Sequence, residues 1–185
     1  MKLFEAFGKK ARSESAARKE NAVRQRTVAD TYTELCRLCR YGEAMEMLTD
    51  MQRTFYIVQS YEAEVMNGGH AQYFTNSASD LAGELPAALR TIGAHDTANR
   101  FAALVSSLVL PPPAERDKRH IWYETLFCGR PCPELQARQE KLQQLDDFVK
   151  SREENLDLLC YDYVLQQFGT TPHNLDPLVD GKITR

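Results

Sequence analysis

Apolar residues recur every three or four positions from Thr27 to Phe168, which is the period of an α-helix. Glycine and proline interrupt this pattern at Gly42, at Gly93 and at the three prolines 111–113, where helices commonly end. Runs that alternate apolar and polar side chains, as a half-buried strand would, are missing from the sequence. The pattern therefore predicts an all-α fold, with one compact multi-helix domain.

One apolar stripe of this domain contains a carboxylate. The stripe ends at Asn67-Gly68-Gly69, and its members are Leu48, Met51, Phe55, Val58, Glu62 and Val65. Because burying an unpaired charge is unfavourable, Glu62 is expected to find hydrogen-bond donors nearby. The expected donors are the backbone amides of Gly68 and Gly69, the side-chain amides of Gln72 and Asn76, and the hydroxyl of Tyr73.

Two interpretations of this region remain open. In the first, it is a structural network of polar side chains that fixes the angle between two helices. In the second, it is a pocket for a ligand or partner. Both use the same set, which is Glu62, Glu64, Asn67, Gly68, Gly69, Gln72, Tyr73 and Asn76. A sealed, hydrogen-bonded Glu62 would favour the first interpretation.

Two helix starts are predicted from capping residues. Asp96 precedes the stripe that contains Phe101 and is expected to cap that helix. Ser151 and Glu154 have the spacing of a capping box, which predicts that the last helix begins there.

The charges are distributed unevenly along the chain. Residues 1–26 contain eight basic and three acidic side chains, a net charge of +5, whereas the remaining residues contain fifteen basic and twenty-three acidic ones, a net charge of −8. We therefore divide the chain into a basic arm (1–26), helical or flexible, an all-helical domain (27–170) and a polar tail (171–185). The candidate basic residues of the arm are Lys9, Lys10, Arg12, Arg18, Lys19, Arg24 and Arg26.

No established catalytic or cofactor motif is found, so we expect no catalytic residues, no cofactor and no metal. Cys36 and Cys39 have the CxxC spacing, and Cys128 with Cys132 could complete a zinc site. However, the first pair lies on or beside an inward helical stripe, where cysteine behaves as a small apolar residue. The five cysteines and the absence of a secretory signal predict a reduced, cytoplasmic protein.

The run from Ser60 to Ser77 resembles the signature of a bacterial family of helical proteins that is named for a member described as a DNA mimic. Its glycines, amides and aromatic residues coincide with that signature, although His70 stands where an aromatic residue is expected. Weaker similarity at residues 88–94 and 145–159 extends the resemblance to about residues 53–168. The resemblance implies an all-α fold, a homodimer, no enzymatic activity and carboxylates spaced like the phosphates of DNA.

On this resemblance, we expect a protein-interaction module that binds a basic or DNA-binding protein through an acidic helical surface. The candidate carboxylates are Asp146, Asp147, Glu153, Glu154, Asp157 and Asp162. One alternative is an immunity or antitoxin protein that inhibits a toxic enzyme. Another is direct binding of nucleic acid or an anionic membrane through residues 1–26.

Overall fold

A computed structural model describes residues 2–108, 110–113 and 115–168, with side chains from residue 14 to residue 167 of these ranges. The predicted tail at 171–185 and the side chains of Lys9, Lys10 and Arg12 lie outside this description. Within the described residues there is no strand, so the predicted all-α fold is confirmed. The described residues form seven α-helices, which are α1 (Lys2–Leu38), α2 (Asp50–Thr75), α3 (Leu85–Thr91), α4 (His95–Ser106), α5 (Arg116–Phe127), α6 (Pro133–Ser151) and α7 (Leu156–Phe168).

Helix α2 is the centre of the fold and packs against α1, α3, α5, α6 and α7. The apolar side chains of its predicted stripe are all buried, and Phe55, Val58 and Val65 are completely inaccessible. Behind its C-terminal end, aromatic rings from three helices meet in edge and stacked contacts, with Phe74 between Phe101 and Trp122. The core therefore forms around the stripe that the sequence predicts.

Helix α1 continues without interruption across residue 26, so the arm has the helical form of the two predicted alternatives. All side chains from residue 14 to residue 23 are exposed, and burial begins with Thr27 and Val28. The N-terminal part of this helix is thus not covered by the described part of the domain. The division into arm, domain and tail stays a prediction.

Both capping predictions are wrong. Asp96 lies inside α4, which begins at His95 and has no cap from a side chain of its own segment. Helix α6 continues through Ser151 and ends where Arg152 adopts a left-handed conformation (φ 58°). Helix α7 begins only at Leu156, where the side chain of Asn155 accepts a hydrogen bond from the Leu158 amide at 3.1 Å.

None of the described helices combines the length and the apolar character needed to cross a bilayer.

Candidate functional site

The glycine joint interrupts α2 near its C-terminal end. Gly68 (φ −139°, ψ 18°) and Gly69 (φ 70°, ψ −172°) leave the helical conformation. The combination at Gly69 is one that only glycine adopts readily, because a Cβ would collide with the backbone. The chain therefore changes direction here and then resumes its helix up to Thr75.

The amide side chains beyond the joint bind Glu64. Gln72 Nε2 donates to Glu64 Oε2 at 2.5 Å, and Asn76 Nδ2 donates to the same oxygen at 2.9 Å. The Oε1 atom of Gln72 accepts a hydrogen bond of 3.1 Å from Asn67 Nδ2. This network joins both sides of the joint, but its carboxylate is Glu64, so the assignment of these donors to Glu62 is wrong.

Glu62 is buried, as predicted, with 4% of its surface exposed, but its partners come from other parts of the chain. Gln59 Nε2 lies 3.5 Å from Glu62 Oε2, and an Arg152 guanidinium nitrogen lies 3.7 Å from Oε1. Burial raises the pKa of Glu62 to about 8, the neighbouring Asp157 carboxylate adds to the rise, and Arg152 opposes it. Arg152 also pairs with Asp157 at 3.0 Å, so one cation bridges two carboxyl groups.

His70 is the first residue after the glycines and is completely buried. Its backbone amide donates to Asp146 Oδ1 at 2.8 Å, and its Nδ1 lies 2.5 Å from the same oxygen. Its Nε2 lies 2.8 Å from the hydroxyl of Tyr61. The ring also contacts Tyr73 and Phe74, which explains how a histidine occupies a position where an aromatic residue is expected.

The pKa shifts of this cluster assign its protons. Burial lowers the pKa of His70 and outweighs the attraction of Asp146, so the imidazole is neutral. Burial alone would raise the pKa of Asp146, but the hydrogen bonds from His70 hold it below its ordinary value. An ionised carboxylate only accepts, so His70 Nδ1 carries the proton and Nε2 accepts the hydrogen bond of Tyr61.

The six candidate carboxylates of the acidic surface do not form one continuous patch. Asp146 is only 13% exposed and belongs to the His70 cluster. Glu154 reaches across to α4, where its two carboxylate oxygens accept the backbone amides of Asp96 and Thr97 at 2.9 and 2.7 Å. It also accepts the Thr97 hydroxyl at 2.6 Å, so Glu154 is the cap that the sequence assigned to Asp96.

The remaining candidate carboxylates differ in their exposure and in their ion pairs. Asp157 is paired with Arg152, and Asp162 is half-exposed and lies 3.3 Å from Arg24. Asp147 and Glu153 are exposed and form no ion pair with any described residue. The structure therefore leaves only part of the predicted set accessible.

The described basic residues of the arm all lie on α1. Arg18 and Lys19 are exposed, while Arg26 lies 3.9 Å from Asp30. Arg24 bridges Glu20 and Asp162 and lies over the ring of Tyr161 at 5.2 Å. The end of the arm thus contacts α7 through Arg24.

The cysteine pairs differ in burial. Cys36 and Cys39 are buried among core residues, as the packing interpretation expects, whereas Cys128 and Cys132 are exposed. Burial raises the pKa of the Cys36 thiol. Among the described residues, no group of three or more His, Cys, Asp or Glu side chains is arranged to hold a metal ion.

The fold and the joint define an all-helical protein in which carboxylates and amides close a glycine break in the central helix. The family model of the DMP19-like proteins matches residues 46–167, and the chain belongs to this family. The predicted resemblance is thereby confirmed, with a start slightly before the predicted residue 53. No curated protein and no solved structure matches the chain.

Proposed function

We propose that the chain is a non-enzymatic protein-interaction module that binds a basic or DNA-binding protein in the manner of a DNA mimic. Membership of the DMP19-like family is the observation that carries this proposal. A mimic has to present carboxylates in fixed positions, because duplex DNA has about one charge per 1.7 Å of its axis. The proposal therefore depends on which carboxylates are both exposed and ordered.

The outer face of α6 supplies two such carboxylates. Glu140 and Asp147 are exposed and seven residues apart, so they lie on the same side of the helix with a separation of about 10 Å along its axis. Gln136 donates to Glu140 at 3.0 Å and Gln143 donates to Asp147 at 2.8 Å. These hydrogen bonds restrict the carboxylates before a partner arrives, which lowers the entropy lost on binding.

Glu153, in the segment after α6, and Asp162, on α7, are the other predicted carboxylates that stay accessible. Glu153 is exposed and has no ionic partner among the described residues, and Asp162 is half-exposed. We define the acidic face as Glu140, Asp147, Glu153 and Asp162. Since four carboxylates are few compared with the phosphates of DNA, the proposal includes a homodimer that would double the face.

Variants that replace carboxylates with uncharged amides test the acidic face. The partner is first identified by co-purification and mass spectrometry. The double variant Asp147→Asn, Glu153→Gln should weaken its binding by at least about tenfold at low salt, because the two exposed charges contribute to the attraction. Asp117→Asn with Glu124→Gln removes two exposed charges from α5 and is the matched control. Asp146 and Glu154 are left unchanged because they stabilise the fold. Undiminished affinity of the first variant, or an equal loss in the control, would reject the acidic face.

The nature of the captured partner separates the two protein-binding alternatives. A DNA-binding protein that is displaced from its DNA by the chain supports mimicry. A toxic enzyme whose activity is blocked by the chain supports an immunity or antitoxin function instead. Both outcomes support a protein-interaction function, but only the first supports DNA mimicry.

A second candidate function is direct binding of polyanions through α1. It is favoured by the exposure of every side chain from 14 to 23, including Arg18 and Lys19. Deleting residues 1–22 leaves the contact of Arg24 with Asp162 intact and should abolish binding to duplex DNA or to vesicles containing phosphatidylserine. Binding that survives the deletion, or that does not weaken with salt, would reject this function.

A further inference from the structure

A cleft of about 900 Å³ lies between the C-terminal end of α1, the 3-10 turn Arg40–Gly42 that follows it and the short 3-10 helix Ser77–Leu81. This volume is typical of small-molecule sites, which occupy about 300–1,000 Å³. The sequence interpretation did not predict the cleft, because its walls come from segments far apart in the chain. Of the residues predicted around the joint, Glu64 is the one that lines it.

The buried floor of the cleft carries hydroxyl groups and aromatic rings. Tyr32 Oη lies 3.1 Å from Ser60 Oγ, and the rings of Tyr32 and Tyr56 have their centroids 5.7 Å apart. Burial raises the pKa of Tyr56 to about 12 and raises that of Tyr32 further, so both phenols are neutral and can donate or accept hydrogen bonds. Such a floor suits a ligand that has both planar and hydroxylated parts.

The charged residues at the mouth are only partly neutralised. Of the cationic side chains that line the cleft, Arg37 is held by Glu34 at 2.5 Å. Arg40 and Arg116 form no ion pair within the described residues. Of the carboxylates, Asp80 is paired with Arg119 at 2.6 Å and Glu64 accepts two amides. Glu43 also lines the cleft and forms no ion pair within the described residues, so the unpaired charges of the lining are two guanidinium groups and one carboxylate.

The backbone at the mouth adopts an uncommon conformation. Arg40 (φ 50°) and Tyr41 (φ 57°) both lie in the left-handed region although neither is glycine. Tyr41 is 71% exposed, so burial of its ring does not explain the conformation. Both residues line the cleft, so its wall includes a cation and an exposed aromatic ring.

We propose that this cleft binds a phosphomonoester joined to a planar ring, with nucleoside monophosphates as the representative class. Guanidinium groups match phosphate oxygens in a bidentate geometry, which assigns the phosphate to Arg40 and Arg116. The ring stacks on Tyr41 at the mouth, as bases do on exposed aromatic side chains. The sugar hydroxyls meet Ser60, Tyr32 and the carboxylate of Glu64. This site is separate from the acidic face and does not depend on the proposed function.

Titration calorimetry on the full chain tests the proposal with AMP, GMP, CMP and UMP, and with adenosine and inorganic phosphate as the separate halves. We expect at least one nucleotide to bind, and adenosine and inorganic phosphate each to bind at least about tenfold more weakly than that nucleotide. Arg40→Gln with Arg116→Gln should weaken the nucleotide at least about tenfold by removing charged hydrogen bonds. Arg18→Gln with Lys19→Gln, which removes two exposed charges from α1, should have no effect.

Tyr41→Asn tests the ring separately, because asparagine tolerates the left-handed conformation. It should weaken the nucleotide and leave inorganic phosphate unchanged. The proposal is overturned if no nucleotide binds to the folded chain, if the double arginine variant binds as tightly as the parent, or if inorganic phosphate binds as tightly as the nucleotides. Unchanged nucleotide affinity in Tyr41→Asn would likewise overturn the stacking assignment. Circular dichroism confirms that each variant is folded.

Discussion

Gly69→Ala is the substitution for which the structure makes the strongest prediction. The backbone at this residue (φ 70°, ψ −172°) belongs to a region that is almost restricted to glycine. A Cβ at this position would also lie 2.5 Å from Asp146 Oδ2, too close for any contact. The substitution therefore strains the backbone and displaces the carboxylate that holds His70.

Both effects can be given a magnitude. The backbone conformation alone costs about 1–3 kcal/mol for a residue with a Cβ. Displacing Asp146 weakens its two hydrogen bonds with His70, and a hydrogen bond to a charged group contributes about 1.5–3 kcal/mol. We expect a total loss of about 3–5 kcal/mol, which is a large fraction of the roughly 5–15 kcal/mol that stabilises a typical domain.

Urea unfolding followed by circular dichroism measures this loss, and two other glycines separate its causes. A Cβ at Gly93 (φ 89°) meets no atom within 4 Å, so Gly93→Ala reports backbone strain without a collision. A Cβ at Gly83 also meets nothing within 4 Å, and this residue has no positive φ, so Gly83→Ala should be nearly neutral. We expect the loss to increase from Gly83 to Gly93 to Gly69.

A double-mutant cycle isolates the collision itself. Asp146→Ala removes the atoms that the new Cβ would strike, so Gly69→Ala should be less damaging in that background than in the parent chain. If Gly69→Ala destabilises no more than Gly93→Ala, or if its effect simply adds to that of Asp146→Ala, the structural reasoning about the joint is refuted.

Two further predictions concern carboxyl groups that contact other parts of the protein. Glu154→Ala should destabilise the fold by about 1–2 kcal/mol through loss of the α4 cap, whereas Glu153→Ala should stay within about 0.5 kcal/mol in the same urea titration. The raised pKa of Glu62 means that the folded state holds its proton more tightly than the unfolded state, so stability should fall as the pH rises from about 4.5 through about 8. Glu62→Gln should flatten that decline in the melting temperature, and an unchanged slope would contradict the assignment.

The helical class and the core could be predicted because they depend on local periodicity. The stripe of α2 is buried as its spacing requires, and the glycines interrupt the helix where they were expected. Helix ends were predicted less well, since a cap can come from a distant segment. Glu154 caps α4 from the segment between α6 and α7, and nothing in the local sequence of Asp96 and Thr97 indicates this.

The hydrogen-bond partners of the side chains at the joint were equally hard to predict from the sequence. Glu62 and Glu64 are two residues apart, and sequence alone indicated only that Glu62 lies on the apolar face. The amides of Gln72 and Asn76 reach Glu64 because the glycines redirect the chain, which places the next turn beside the outer carboxylate. The choice between the two carboxylates therefore depends on the angle at the joint.

The partnering of these carboxylates changes how the acidity of the chain should be interpreted. Glu64 and Asp146 stabilise the joint from two sides, and Glu154 stabilises the start of α4. Each of them counts toward the negative charge of the domain, yet each already accepts hydrogen bonds from the protein itself. Net charge therefore overstates the acidity that a basic partner would meet. Under the proposed function, a basic partner would bind through the few carboxylates that stay exposed, such as Asp147 and Glu153, or through two copies of that face.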